Sequence, residues 1–80
     1  MTVALQVLGV TAAGRSVRLF EDLPVAGPTT VRALLAAAPP EVGVLVAEGA
    51  TVLVNGERST AETAVVDGDE VSVIRALVGG

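Results

Sequence analysis

The chain contains no cysteine, histidine, lysine, tryptophan or tyrosine, and each absence removes a class of chemistry. Without Cys there is no disulfide framework, no thiolate nucleophile and no soft metal ligand. Without His the commonest general base and metal ligand is missing. Without Lys no side chain can form a Schiff base, and the α-amino group is the only amine. Phe20 is the single aromatic residue, so the core has to be built from aliphatic side chains although 51% of the residues are hydrophobic. No stretch is long and apolar enough to cross a bilayer: the weakly charged run from Ala33 to Ala47 is broken by Pro39-Pro40-Glu41. No basic flank precedes an apolar run at the N-terminus, which leaves a cytoplasmic location as the expectation. Net charge is −4, which disfavours a nucleic-acid partner and is compatible with a basic protein partner.

What remains is a small domain of Val, Leu and Ala punctuated by Gly and Pro. Thr2 to Leu8 reads as a strand with Val3, Leu5 and Val7 on one face. Gly9 to Gly14 reads as a turn, and Arg15 to Phe20 alternates again, so the two segments are expected to form a hairpin. Asp22 to Pro28 reads as a loop. Thr29 or Thr30 can cap a helix carrying Val31, Leu34, Leu35 and Ala38 as one apolar stripe, which Pro39-Pro40 ends. The segment Glu41 to Glu48 fits either a short helix opened by Pro40 or a strand alternating through Val42, Val44 and Val46; a short helix or irregular turn is favoured. Thr51 to Val54 is a strand ending at the Asn55-Gly56 turn, Arg58 to Thr63 is polar connecting chain, and Asp67-Gly68-Asp69 turns into a last strand, Val71 to Leu77.

Few residues offer catalysis. Asp67, Asp69 and Glu70 lack the spacing of a calcium loop and read as a solvated turn. Ser59, Thr60 and Thr63 have no base to activate them. Gly9, Gly14 and Gly27 do not have a phosphate-binding spacing. The group with plausible chemistry is the carboxylate of Gly80. The pair Gly79-Gly80 carries no Cβ, so it can thread a narrow channel and present a terminal carboxylate where side chains would block it. That carboxylate is ionised at neutral pH and is a poor electrophile until activated.

The order strand, strand, helix, strand, strand, with Val54-Asn55-Gly56, Asp67-Gly68-Asp69-Glu70-Val71 and the Gly-Gly end, resembles the ubiquitin-like sulfur carriers, the ThiS and MoaD type. The resemblance extends over essentially all of residues 1–80 and implies one α+β domain. Its fold would be a β-grasp, a mixed sheet of about four to five strands packed on one main helix, with a tail at 77–80. It implies a carrier that is not itself an enzyme. A ubiquitin-activating-type enzyme would adenylate Gly80 with ATP, and a sulfur donor would convert it to a thiocarboxylate. An acceptor enzyme, such as the molybdopterin synthase large subunit, thiazole synthase or an analogue, would then use that sulfur. No permanently bound cofactor or metal is implied. Gly79 would serve the tail, and Leu77 and Val78 would contact a partner. The length and the segment after the helix are closer to the molybdopterin-type carrier, yet Arg75-Ala76 stand where such carriers usually have Pro-Pro. Service to cysteine, thiamine or secondary-metabolite synthesis therefore stays open. The alternatives are a ubiquitin-like modifier conjugated through Gly80 and a β-grasp domain that only binds a partner.

Overall fold

A computed structural model describes residues 1–75 of the protein. Two long strands, β1 (Thr2–Val10) and β2 (Ser16–Pro24), open the chain as an antiparallel hairpin running from Val10↔Ser16 to Thr2↔Pro24. The strand β3 (Thr29–Thr30) leads into helices α1 (Val31–Ala36) and α2 (Pro40–Ala47). Then come β4 (Thr51–Val54), β5 (Glu57–Arg58), β6 (Ala64–Val65) and β7 (Glu70–Arg75). The main sheet has the order β2-β1-β7-β4-β5, and β3 pairs with β6 in a separate two-stranded ladder. Among the described residues only β1 and β7 pair in parallel; the other neighbours in the main sheet are antiparallel. Parallel neighbours need a long crossover, and the helices and outer strands supply it. This arrangement is the β-grasp fold.

Alternation along the central strands decides which face is covered. Val3, Leu5 and Val7 of β1 and Val71 and Val73 of β7 are buried on the helix side, where they meet Val31 and Leu34 of α1 and Val42 and Leu45 of α2. Val65 completes this cluster from β6. With no ring to fill space, close approach of branched aliphatic chains must provide the packing.

The helical layer consists of the helix expected before Pro39-Pro40 and a second short helix in the segment where one was favoured. Thr30 caps α1, its hydroxyl accepting from the Ala33 amide at 3.2 Å. The amides of Val31 and Arg32 donate to the carbonyls of Thr63 and Ala61 at 3.0 and 2.9 Å, so the loop before β6 satisfies the first turn. Pro39 separates the helices, and Pro40 occupies the start of α2, where its missing amide costs nothing. The segment 41–48 is thus helical through Ala47, with Val42 and Leu45 buried and Val44 exposed. A strand would have put Val42, Val44 and Val46 on one face; the three-residue spacing of the two buried positions suits a helix.

Three expectations change. The first turn begins at Thr11 rather than Gly9: Gly14 takes φ +85°, and the Thr11 and Arg15 backbones bond across it at 2.9 Å. Strand β2 continues to Pro24, because β1 offers it a pairing partner as far back as Thr2. The connecting chain after Gly56 contributes β5, and β6 lies just beyond it; each of these strands is only two residues long, too short to show alternation. The Asn55-Gly56 turn forms as expected, with φ +51° and +83°, the two positive values that a tight two-residue hairpin turn needs. The last strand is described to Arg75; the remainder of the Val71 to Leu77 expectation lies outside the described residues.

Leu45 is completely buried. Truncation to Ala removes contacts at the junction of α2 with β1 and β7, and Leu45→Ala is expected to destabilise the fold by about 2–5 kcal/mol. Urea unfolding measures this; a loss below about 1 kcal/mol would show that the neighbours close over the gap.

Candidate functional site

Gly79, Gly80, Leu77 and Val78 lie outside the described residues. The platform that leads to them is described. The strand β7 occupies the centre of the sheet, held by β1 from Ala4↔Glu70 to Gly9↔Arg75 and by β4 from Val54↔Val71 to Thr51↔Ile74. Arg75 closes this strand and ties it to two other segments. Its Nη1 donates to the Val10 carbonyl at 2.6 Å and its Nε to the Glu48 carbonyl at 3.2 Å. Sequence reasoning noticed Arg75 only as a departure from Pro-Pro, because nothing local in the sequence shows that these carbonyls converge on it.

The start of β7 is fixed by the turn that reads as acidic. Asp67 Oδ1 accepts from the Thr2 amide at 2.7 Å, the Gly68 amide donates to the Thr2 carbonyl at 2.9 Å, and the Ala4 amide donates to the Asp69 carbonyl at 3.0 Å. Asp69 accepts from the Val66 amide at 2.9 Å and from Asn55 Nδ2 at 3.0 Å, while Asn55 Oδ1 accepts from the Glu70 amide at 2.9 Å. The Val66 bond first, and the Asn55 bond second, hold the Asp69 carboxyl below its usual range. These carboxylates join turns to strands, and among the described residues no group of three acidic side chains is arranged to hold a metal ion.

The hydroxyls are similarly engaged. Ser59 Oγ donates to the Val52 carbonyl at 3.0 Å, and Thr63 Oγ1 accepts from the Thr60 amide at 2.9 Å. A groove of about 510 Å³ lies between the helices and β4. It is lined mainly by aliphatic residues such as Leu35, Val46 and Val52, and its one charged side chain, Arg32, is bonded to Glu62 at 2.8 Å. That pair is largely exposed and contributes little. Among the described residues no acid–base pair lines this groove.

The sheet face away from the helices carries Leu8, Phe20, Leu53 and Ile74. Phe20 is 57% exposed and Ile74 39%. The register puts Ile74 beside Leu8 and Gln6 beside Phe20, and the Arg18 guanidinium lies 5.6 Å from the Phe20 ring centre. The sequence points to Phe20 only as the lone aromatic; strand register is what brings it onto the same open face as Ile74, one residue before the end of β7. No helix of the described residues is long and apolar enough to cross a membrane.

A family model described as the ThiS family matches residues 13–80. The fold is similar to the crystal structure of SAMP1 from Haloferax volcanii, with a TM-score of 0.66 and 25% sequence identity over 100% of each chain. No curated protein matches in sequence.

Asp69 also generates a pH prediction. A carboxyl lowered in the folded state stabilises the fold above its unfolded pKa of about 3.9, and that contribution disappears as pH falls through the lower folded value. The thermal midpoint of the wild type should therefore exceed that of Asp69→Asn at pH 7, with the gap narrowing on acidification below about pH 4. A gap independent of pH would assign the bonds no dependence on charge.

Proposed function

The chain belongs to the ThiS family, and from that premise we propose that it is a sulfur carrier whose reactive group is the carboxylate of Gly80. Membership supports a ubiquitin-like carrier or modifier, a protein acted upon by other enzymes. The single observation that carries the finer reading is that the family match runs through Gly79-Gly80, in a chain whose side chains include no thiol, imidazole or amine. Transferable sulfur in such a chain has to sit on the terminal acyl group.

In the proposed cycle an adenylating enzyme binds ATP, and a carboxylate oxygen of Gly80 attacks the α-phosphorus. Pyrophosphate leaves, and the acyl carbon becomes electrophilic. Hydrosulfide from a donor then adds to that carbon, AMP departs and the sulfur loses its proton, leaving a thiocarboxylate for an acceptor enzyme. The protein itself holds no ATP in this scheme. Gly79 and Gly80 supply a narrow path to the reacting atom, while Leu77 and Val78 are proposed to meet the partner's surface. Ile74 of β7 shares an exposed sheet face with Phe20 of β2, and the same adenylating enzyme is proposed to cover that face. Location in the cytoplasm, beside ATP and that enzyme, belongs to the same proposal.

The test is incubation with the adenylating enzyme of the same organism, ATP and a sulfide source. A gain of about 16 Da is expected, the exchange of one oxygen for sulfur. Oxidation of Met1 gives almost the same shift, so alkylation and fragmentation must place the label on Gly80. Finding only adducts joined through Gly79-Gly80 to lysines of other proteins, with no alkylatable terminal sulfur, would replace the carrier reading by that of a modifier.

Two substitutions refine the picture. Gly80→Ala should fold normally and lose nearly all thiocarboxylate formation, since one methyl group displaces the reacting carboxylate; wild-type yield would sink the narrow-channel argument. Leu77→Ser and Val78→Ser should leave the unfolding midpoint nearly unchanged while weakening the complex with the adenylating enzyme. A stability loss of several kcal/mol, the size of a core truncation, would place them in the core instead.

A further inference from the structure

The end of β7 is held by a clamp that its ladder does not require. Arg75 follows Val71 and Val73 on the helix-facing side, but it lies past the last residue of β7 paired with β4, where only β1 still flanks the strand. Its guanidinium spans two carbonyls, Val10 at the end of β1 and Glu48 at the end of α2. Glu48 is the C-cap of α2, so the cation sits at the negative end of the helix. The Glu48 carboxylate is 3.7 Å from Nη1 and also accepts from the Ala12 amide at 2.8 Å, bringing the β1–β2 turn into the same junction. Both side chains are only about a quarter exposed, which limits screening of the pair.

Gly9 permits the approach. A Cβ there would stand 3.1 Å from the Arg75 carbonyl oxygen, 3.2 Å from Arg75 Cβ and 3.2 Å from Leu45 Cδ2. A larger residue would require these neighbours to give by a few tenths of an ångström. Three segments therefore converge on the last described residue, five positions before Gly80. Neither Arg75, Glu48 nor Gly9 belongs to the buried apolar cluster, whose last member is Val73.

We propose that Arg75, held by Glu48 and given room by Gly9, is a positioning residue for activation of Gly80: it fixes the point and direction from which the tail leaves the sheet. The inference rests on the carrier reading above. Five residues span at most about 18 Å, so a swing of about 10° at Arg75 displaces a point at that reach by up to about 3 Å. Misplacement of a reacting group by about 1 Å can already cost a hundredfold in rate. A partner that seats the open sheet face as a rigid body needs the exit direction to be fixed relative to that face.

The experiment measures ATP–pyrophosphate exchange by the adenylating enzyme of the same organism, with full-length protein, at a temperature where circular dichroism shows every variant folded. Arg75→Met keeps the aliphatic stem and removes the fork; it should lower kcat by about tenfold or more with KM for the carrier within about twofold. Glu48→Gln retains an acceptor for Ala12 and the backbone carbonyl for Arg75, and should give a smaller fall in kcat. Amide hydrogen exchange at Arg75 should accelerate in the same order. Wild-type kcat in folded Arg75→Met, or a raised KM with kcat unchanged, would overturn the positioning role while leaving the carrier reading intact. If Arg75→Met does not fold, an unchanged kcat in Glu48→Gln overturns the role of the clamp. Absence of exchange with the wild type itself would overturn both readings.

Discussion

Parallel pairing of β1 with β7 is the constraint from which the rest of the molecule follows. It brings the first and last strands together at the centre of the sheet, with Leu5 opposite Val71 and Val7 opposite Val73. Parallel strands cannot be joined by a tight turn, so everything between the hairpin and β7 has to travel across one face. The Asp67 to Asp69 turn sets the register by bonding to Thr2 and Ala4 at the beginning of β1. A one-residue slip would expose Val71 and Val73 and bury Ser72 and Ile74 on the helix side. The polar turn and the apolar alternation therefore select the same pairing.

The aliphatic composition has consequences for how that pairing is covered. One long helix lined with aromatics would fill a wide space; two short helices of Val, Leu and Ala approach the sheet closely instead. Each is marginal alone at six and eight residues, and each depends on tertiary partners. The loop carbonyls at Ala61 and Thr63 satisfy the opening of α1, and the Arg75 cation sits at the end of α2. Local propensity is weak here, and packing on β1 and β7 supplies the order.

Legibility in the sequence followed the length over which a pattern repeats. The alternation of Val3, Leu5 and Val7 and of Val71 and Val73 identifies both central strands and their buried face. Asn55-Gly56 and Asp67-Gly68-Asp69 are readable because positive φ restricts the choice of residue. The two-residue strands β5 and β6 carry no period at all. The strand β2 outruns its unbroken apolar alternation because pairing with β1 carries it past the exposed Glu21 and Asp22 to Leu23, which packs against the core. Glu41 to Glu48 is ambiguous because valine at every second position imitates a strand, and only the covering role of α2 decides it. The proposal for Gly80 rests on what the side chains lack, and Gly80 itself lies outside the described residues. The clamp around Arg75 was not legible, since two of its acceptors are backbone carbonyls that come from distant positions.

The proposed carrier role and the chemistry of the clamp have a common physical reason. On the proposed reading the chain presents an activated acyl group, and any nearby amine or thiol would capture the acyl carbon. The absence of Lys and Cys removes such capture by side chains throughout the chain. The hydroxyl of Thr11, in the turn close to the end of β7, already accepts from the Arg15 amide at 3.0 Å and has no base beside it. Arg is the cation suited to this junction: guanidinium binds two carbonyls at once, stays protonated and is a poor nucleophile. Lysine would hold the same carbonyls less specifically and bring an amine to the end of β7. The residue that anchors the end of β7 thus meets two demands together, geometric restraint and chemical inertness.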